Sequence, residues 1–224
     1  MKLLIVGYGK MGRMVEEMAA GQDIQIVGRV DDGRDEWRPA DVAVDFSTAS
    51  ALLTNFPKYM QSKMNVVIGT TGWGEHAAKL RRDAEQAGMG VVAAPNFSIG
   101  VNLFYRIAEF TAELFAKFPE YEVFIEEQHH SRKKDAPSGT ALKIKEVVSK
   151  HVEVGGVSAT RAGNIPGTHR VGFDGPADQI LLEHMARSRE GFAFGSLMAA
   201  EWIVGKKGFY EFTDVIDEIV CGRE

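Results

Sequence analysis

The sequence predicts an α/β protein with two domains: a parallel-sheet domain first, then an α+β domain with a mainly antiparallel sheet. Short apolar runs, beginning with KLLIV at 2–6, alternate with helical patterns along the first hundred residues. A glycine-rich turn follows the first run and opens a helix. After Asn96 the pattern changes to alternating, glycine-rich short segments. These observations predict a first domain of 1–97 with 190–224, and a second of 98–189.

The elements of the first domain follow in order. The apolar runs predict strands at 2–6, 24–30, 41–47, 65–71 and 89–98. The helical patterns predict helices at 13–20, 50–61 and 75–88, the second interrupted or ended by Pro57 and the third closed by Gly88. Because these strands end in Gly, Thr, Ser or Asn, a ligand crevice is expected at their carboxyl ends.

The second domain begins with a long apolar helix at 99–117. A strand is predicted at 120–130 and a helix at 139–151. The glycine-rich runs predict strands at 169–175, 178–188 and 191–196, before a final helix at about 196–204 and the closing DVIDEIV.

Composition excludes several classes of protein. The 224 residues carry a formal net charge of −5, with basic residues clustered only at 132–134, which argues against a nucleic-acid partner. Cys221 is the only cysteine, so an intrachain disulfide is impossible. No apolar run reaches the ~20 residues of a membrane span. A cytoplasmic protein with no membrane partner is therefore expected.

The glycine turn has the pattern of a dinucleotide-binding loop. It reads Gly7, Tyr8, Gly9, Lys10, Met11, Gly12, which is GxGxxG between a strand and a helix. Such glycines permit a tight turn and close approach to a pyrophosphate at the helix N-terminus. Asp31, about 20 residues later, suits a ribose hydroxyl, although Asp31 and Asp32 could be only turn residues. This favours a Rossmann-like domain.

The cofactor is predicted to be NADH, NADPH or both. Asp31 and Asp32 would repel a 2′-phosphate, whereas Lys10 and Arg13 beside the loop could receive one.

The segment EEQHHSRKKDAPSGTA at 126–141 predicts a second functional site. Two adjacent histidines without cysteines or an HExxH spacing do not indicate a metal. A histidine can exchange protons near neutral pH, and Glu126 or Glu127 could keep it charged. Ser138 is a good N-cap, so the start of the next helix, with Lys133 nearby, is expected to bind a carboxylate.

Together these parts indicate a reductase for a small anionic substrate, since they supply a hydride carrier, a proton donor and a carboxylate clamp. Two other functions stay open: an amino-acid dehydrogenase that releases ammonia, and a redox sensor that binds NAD(H) without chemistry. The sensor would have no need of a proton donor, and dicarboxylates would not affect its cofactor binding.

The whole chain resembles the dihydrodipicolinate reductase family of lysine biosynthesis. The resemblance is carried by GYGKMGR at the start, DFST at 45–48, GTTG at 69–72, APNFSIGVN at 94–102, EQHHSRKKDAPSGTA at 127–141, and the later RAGNIPGTHRVGF and SREGFAFG. It implies NAD(P)H-dependent reduction of 4-hydroxy-tetrahydrodipicolinate, a cyclic dicarboxylate, with loss of water, and assembly as a homotetramer through the second-domain sheet.

The resemblance also implies residue roles. His129 would be the proton donor and acceptor, and Lys133 the second catalytic residue. The substrate carboxylates would be held by His130, Ser138, Gly139 and Thr140. The nicotinamide end of the cofactor and the hinge would be lined by Gly69, Thr70, Thr71, Ala94, Pro95, Asn96 and Phe97. No metal is implied. The short stretch between the second and third strands departs from the fuller form of many members.

Overall fold

The computed structural model describes residues 1–32 and 34–222. The chain divides into two compact units, one formed by Met1–Ile99 with Glu190–Glu224 and the other by Gly100–Arg189. The predicted segment 190–224 ends in residues 223 and 224, which lie outside the described residues. Each unit contains its own sheet and its own core.

The secondary structure comprises eleven strands and seven α-helices in the described residues. The strands are β1 Lys2–Val6, β2 Gln25–Asp31, β3 Arg34–Asp35, β4 Val42–Asp45, β5 Asn65–Ile68, β6 Gly90–Ala93, β7 Glu122–His129, β8 Val154–Arg161, β9 Thr168–Asp174, β10 Gln179–Met185 and β11 Gly208–Glu211. The helices are α1 Lys10–Ala19, α2 Ala49–Ser62, α3 Ala77–Ala87, α4 Ile99–Phe115, α5 Gly139–Val148, α6 Glu190–Ile203 and α7 Phe212–Cys221. None of the helices in the described part of the chain is long and apolar enough to cross a membrane.

The first unit is a seven-stranded sheet in the order β11-β6-β5-β4-β1-β2-β3. Neighbouring strands are parallel, apart from the short β3, which is antiparallel to β2. Residues of β4 and β6 are buried throughout, as expected for strands covered on both faces. The predicted Rossmann-like sheet is thereby confirmed.

Helices cover the two faces of this sheet separately. On one face Leu3 and Ile5 of β1 pack with apolar residues of α1, α6 and α7. On the other face Leu4 and Val6 pack with α2 and α3. The alternation of β1 side chains between two cores follows from the period of two in a strand. The carboxyl ends of the strands are thus left to the loops that carry the predicted cofactor site.

The second unit is a four-stranded sheet in the order β10-β9-β7-β8. The pairs β10–β9 and β9–β7 are antiparallel, and β7–β8 is parallel. Val123, Ile125 and Phe173 form its core with the inner faces of α4 and α5. The sheet is therefore mainly antiparallel, as predicted.

Two local predictions are wrong, and three strands were not predicted. The run GFAFGS at 191–196, predicted as a strand, forms the first half of α6. Its Gly195 is there because a Cβ would lie 1.8 Å from the carbonyl oxygen of Phe97. Pro57 lies inside α2 and does not end it. Strands β3, β8 and β11 were not predicted: β3 has only two residues, β8 contains two glycines, and β11 reads GFYE, with one glycine and no β-branched residue.

Candidate active site

The glycine loop contains glycines that are required for different reasons. Gly7 has φ +82°, and a Cβ there would lie 2.5 Å from the backbone of Phe46. A Cβ at Gly12 would lie 2.3 Å from the Gly7 carbonyl oxygen. A Cβ at Gly9 would meet no described atom within 4 Å. Packing therefore explains Gly7 and Gly12, whereas the open space at Gly9 fits the close approach of a pyrophosphate.

Gly9 is also the N-cap of α1, where it leaves the helix N-terminus without a capping side chain. Amide groups at such an end attract an anion. Lys10 beside it is exposed, and Met11 packs against the core. The hydroxyl of Tyr8 donates a hydrogen bond to Glu16. These residues fit a dinucleotide phosphate at the loop.

The ribose end of the predicted cofactor site lies at the end of β2. Asp31 is the last residue of that strand and is exposed, as is Asp32 in the turn. Asp31 thus lies at a carboxyl end of the parallel sheet, where a ribose hydroxyl would be bound.

Asp45, at the end of β4, organises the DFST and GTTG segments. Its buried carboxylate accepts hydrogen bonds from the Ser47 backbone N–H at 2.9 Å, the Ser47 hydroxyl at 2.6 Å, the Thr70 hydroxyl at 2.8 Å and the Tyr59 hydroxyl at 2.8 Å. Burial raises the pKa of Tyr59, and the Asp45 charge adds to this effect. The sequence interpretation did not assign Asp45 a role, although DFST was among its motifs.

The residues assigned to the nicotinamide end differ in whether their side chains are buried or exposed. Thr70 is buried with its hydroxyl on Asp45, whereas Thr71 is exposed. A Cβ at Gly69 would lie 2.0 Å from the Phe46 ring, so this glycine is required by packing. The side chain of Thr70 therefore supports the segment from within, through Asp45.

The APNF segment shows a similar division. Ala94 is half-buried and Pro95 is exposed. Asn96 accepts a hydrogen bond from the Ser98 backbone N–H at 2.8 Å. The ring of Phe97 lies in the core, 4.9 Å from the ring of Phe212 between centroids. The segment can contact a ligand through its backbone and Pro95, but the Phe97 ring is structural.

In the second unit, the end of β7 brings together a histidine and a carboxylate. Glu127 and His129 are two residues apart, so both side chains lie on the same, inner face of the strand. The His129 Nδ1 atom forms a hydrogen bond with Oε2 of Glu127. The other carboxylate oxygen accepts from the Arg161 guanidinium at 2.6 Å and from the Ser138 backbone N–H at 3.1 Å. Of the two glutamates considered for this histidine, Glu127 makes the contact, whereas Glu126 lies 3.7 Å from Arg170.

These contacts set the protonation of the pair. Burial lowers the pKa of His129; the Glu127 carboxylate opposes this effect, and the charges of Lys133 and Arg161 add to it. Burial alone would raise the pKa of Glu127, but hydrogen bonds from Arg161 and His129 outweigh it and the pKa is lowered. The expectation that a glutamate keeps the histidine charged is thus only partly met: Glu127 favours the charged form, but burial prevails.

The sequence predicts a carboxylate clamp at the start of α5, and the structure shows which groups lie there. Ser138 is its N-cap, and the Ser138 hydroxyl accepts from the Ala141 backbone N–H at 3.2 Å. Lys133 lies 2.8 Å from the Asp135 carboxylate, which also accepts from the Gly139 backbone N–H. The Lys133 hydrogen bond is the main reason that the pKa of Asp135 is lowered. The Lys133 ammonium and the helix N-terminus therefore converge on one carboxylate.

The remaining predicted residues surround this point. His130 follows β7 and is half-buried, with no hydrogen-bond partner for its Nδ1 atom in the described residues. Gly139 is exposed, with open space where a Cβ would lie. Thr140 forms a hydrogen bond with Tyr105. Lys134, unlike Lys133, is exposed.

Two residues near His129 were not predicted as part of the site. Arg161 lies at the end of β8, a strand that the sequence did not predict. His169 on β9 has its ring centroid 5.1 Å from that of His129, and its Nε2 atom lies 3.3 Å from the Ser138 hydroxyl. Burial lowers the pKa of His169 to about 4, so it is neutral at pH 7. The motif RAGNIPGTHRVGF contains both residues and was the available signal.

Glu127, His129 and His169 present three potential metal-ligand atoms within 4.8 Å of one another. However, the Glu127 carboxylate already accepts hydrogen bonds from Arg161 and Ser138. A cation at this point would lie beside the Arg161 guanidinium, which disfavours it electrostatically. The arrangement fits proton transfer better than metal binding.

Comparison with known proteins gives consistent results. A family model described as "Dihydrodipicolinate reductase, N-terminus" matches residues 34–97, and one described as "Dihydrodipicolinate reductase, C-terminus" matches residues 100–216. A 4-hydroxy-tetrahydrodipicolinate reductase of Christiangramia forsetii is 34% identical over 236 residues, covering 98% of this chain and 99% of the relative. One from Archaeoglobus fulgidus is 34% identical over 253 residues, covering 93% and 96%.

The fold is also found in a solved structure. A dipicolinate-bound dihydrodipicolinate reductase from Paenisporosarcina sp. TG-14 superposes with a TM-score of 0.78 at 22% identity. The match covers 96% of this chain and 98% of that one.

Proposed function

The chain belongs to the dihydrodipicolinate reductase family, and from this premise we propose that it reduces 4-hydroxy-tetrahydrodipicolinate, with loss of water, using NADH, NADPH or both. Family membership makes it an oxidoreductase of lysine and diaminopimelate biosynthesis. The family resemblance predicted from the sequence motifs is confirmed by these matches.

One observation carries the substrate assignment. Lys133 and the N-terminus of α5 together hold a carboxylate, that of Asp135. A charged donor with backbone N–H groups is a strong site for such an anion. The carboxylates of the cyclic substrate would bind to the same kind of donors, namely those of His130, Ser138, Gly139 and Thr140 with Lys133.

The proton is assigned to His129. Bound NADH or NADPH would supply a hydride to one carbon of the substrate's double bond. The His129 Nε2 atom would then give its proton to the neighbouring carbon, which completes the reduction of that bond. Because the pKa of His129 is lowered in the absence of substrate, the ring must take up a proton before it can donate one. The negative charges of the substrate carboxylates would favour this charged form of the ring.

The cofactor is assigned to the first unit. Gly7 to Gly12 would contact its pyrophosphate and Asp31 its ribose. The nicotinamide end is assigned to Gly69, Thr70, Thr71, Ala94, Pro95, Asn96 and Phe97. Of these, the side chains of Thr70 and Phe97 support the segment from within, so their contacts would be through the backbone.

The protein is further proposed to be a cytoplasmic homotetramer joined through the second-unit sheet. Edge strand β10 supports this assembly, because Ile180, Leu181 and Met185 are exposed apolar residues on it. Light scattering on the purified protein measures the assembly directly, and a monomer would contradict it.

The decisive experiment measures oxidation of NADH and NADPH with substrate made in situ by the preceding synthase. Turnover that pyridine-2,6-dicarboxylate inhibits supports the reductase and ranks its cofactors. Cofactor binding without turnover would favour the sensor, and ammonia-releasing oxidation of an amino acid would favour the dehydrogenase.

His129→Ala tests the proton donor within the same assay. We expect kcat to fall by about 10²-fold or more, with a modest change in substrate affinity, because a proton-transfer step loses its donor. Unchanged turnover would remove His129 from its assigned role.

A further inference from the structure

Glu127 is a buried carboxylate at the centre of the second-unit site. Its side chain is 0% exposed, and a buried charge is tolerated only with partners. Three donors surround it: His129 on one oxygen, and Arg161 and the Ser138 N–H on the other. The carboxylate thus connects the proton donor to the helix that forms the carboxylate clamp.

The bond to Glu127 determines which nitrogen of His129 can react. A carboxylate accepts a hydrogen bond, so the Nδ1 atom carries the hydrogen and Nε2 is left as the nitrogen that exchanges protons. Gly167, at φ +151°, lies on the Nε2 side, and a Cβ there would lie 3.0 Å from Nε2. The ring is therefore held at one nitrogen, and the missing Cβ of Gly167 leaves room beside the other.

The charges around His129 give Glu127 a second effect. The groups facing the ring are Glu127 on β7, Lys133 in the following loop, Arg161 on β8 and His169 on β9, with His184 on β10 facing His169. Two of these are cations and the two histidines are predominantly neutral at pH 7. Asp135 pairs with Lys133, whereas the Glu127 carboxylate contacts both Arg161 and the His129 ring, so it offsets the positive charge when His129 takes up a proton.

We propose that Glu127 is a positioning residue for proton transfer, which fixes the His129 ring with Nε2 as the transferring atom and holds the start of α5 through the same carboxylate. This role rests on the proposed function, in which His129 is the proton donor. In the transfer, the Nε2–H bond of the imidazolium breaks as a C–H bond forms on the substrate. The Nδ1–H bond to Glu127 persists, and the neutral ring then regains its Nε2 proton from solvent.

Glu127→Gln makes a specific prediction about the ring. Because Arg161 and the Ser138 N–H both donate to one oxygen, the amide oxygen of glutamine must remain there. Its NH2 group then faces His129 Nδ1 and donates to it, so the neutral ring must carry its hydrogen on Nε2 instead. Side-chain ¹⁵N NMR of the purified protein, assigned with His129→Ala, should show this reversal. An unchanged Nδ1–H form in the variant would overturn the proposal.

Kinetics test the same role through a double-mutant cycle. We expect Glu127→Gln to lower kcat by about 10-fold or more, within the 10²–10⁴-fold range of general acid–base catalysis, with a smaller change in KM. In the His129→Ala background it should change kcat by less than about 3-fold, because its partner is absent. Multiplicative losses in the double variant would overturn the proposal. If His129→Ala alone has no effect, His129 is not the proton donor and the positioning role fails with it, whereas a wild-type protein without reductase turnover would refute the proposed function itself.

Two further variants separate positioning from folding. Glu127→Asp keeps the charge and should retain more kcat than Glu127→Gln, whereas equal losses would indicate packing alone. Glu126→Gln is the matched control, because Glu126 lies on the opposite strand face and pairs with Arg170, so its kcat should equal that of the wild type. If Glu127→Gln does not fold, Glu127→Asp replaces it in the double-mutant cycle, and NMR measures the pKa of His129 in that variant. A kcat and a His129 pKa equal to those of the wild type would overturn the proposal.

Discussion

Replacing Gly9 by alanine should separate cofactor binding from folding. A Cβ at this position meets no described atom within 4 Å and φ is −80°, so the methyl group has room. We expect the free energy of unfolding to change by no more than about 1 kcal/mol, as for other N-cap exchanges. The added methyl group would instead occupy the space assigned to the pyrophosphate.

The expected loss of cofactor affinity follows from the hydrogen bonds at the N-terminus of α1. An amide donates to a phosphate oxygen across about 2.9 Å, and a methyl group beside it forces the oxygen outward. Loss of one hydrogen bond to a charged group costs about 1.5–3 kcal/mol. This corresponds to about a 10- to 100-fold rise in the Kd of NADH or NADPH.

The assay is fluorescence titration of NADH and NADPH with thermal unfolding on the same samples. Gly12→Ala is the contrasting variant, because its Cβ would lie 2.3 Å from the Gly7 carbonyl oxygen and should lower Tm. Gly74→Ala, with open space around its Cβ, should leave both measurements unchanged. Wild-type cofactor affinity in Gly9→Ala at unchanged Tm would refute the assigned pyrophosphate site.

Three further predictions concern charged groups. Lys133→Ala should weaken pyridine-2,6-dicarboxylate binding by about 10-fold or more and lower kcat. Lys134→Ala, which removes an exposed charge, should do neither. Equal effects of the two variants on binding, measured by calorimetry, would contradict the clamp. Burial lowers the pKa of His169 to about 4, so the unfolded state binds more protons than the folded state between pH 6.5 and 4. The free energy of unfolding should therefore fall by up to about 3 kcal/mol as the pH decreases through this window. In urea unfolding, the His169→Gln variant should lose less stability than the wild type over this pH range. If both proteins show the same dependence of stability on pH, His169 makes no such contribution. Asp45→Asn should lower the free energy of unfolding by about 1–3 kcal/mol, because the Tyr59 or Thr70 hydroxyl, which now donates to a carboxylate oxygen, would face an amide NH2 group. An unchanged Tm would show that these hydrogen bonds contribute little.

The sequence alone determined the type of each sheet. Alternation of apolar runs with helical patterns predicted the parallel sheet, because a strand covered on both faces is a nearly continuous apolar run, as β4 is from Val42 to Val44. The same reasoning failed at GFAFGS, since small and aromatic residues suit a strand and a tightly packed helix equally. Only the contact of Gly195 with Phe97 decides for the helix.

The site residues divide in the same way. Local motifs identified His129, Lys133 and the start of α5, because these lie within twelve residues of one another and their chemistry is visible in the chain. Arg161 and His169 reach the site only through pairing of β8 and β9 with β7, and sequence periodicity does not specify such long-range pairing. The sequence therefore predicted which groups would perform the chemistry. The tertiary structure decided that Glu127 also contacts Arg161 and Ser138 and that Asp45 contacts Thr70 and Tyr59, because these partners lie on distant strands, helices or loops.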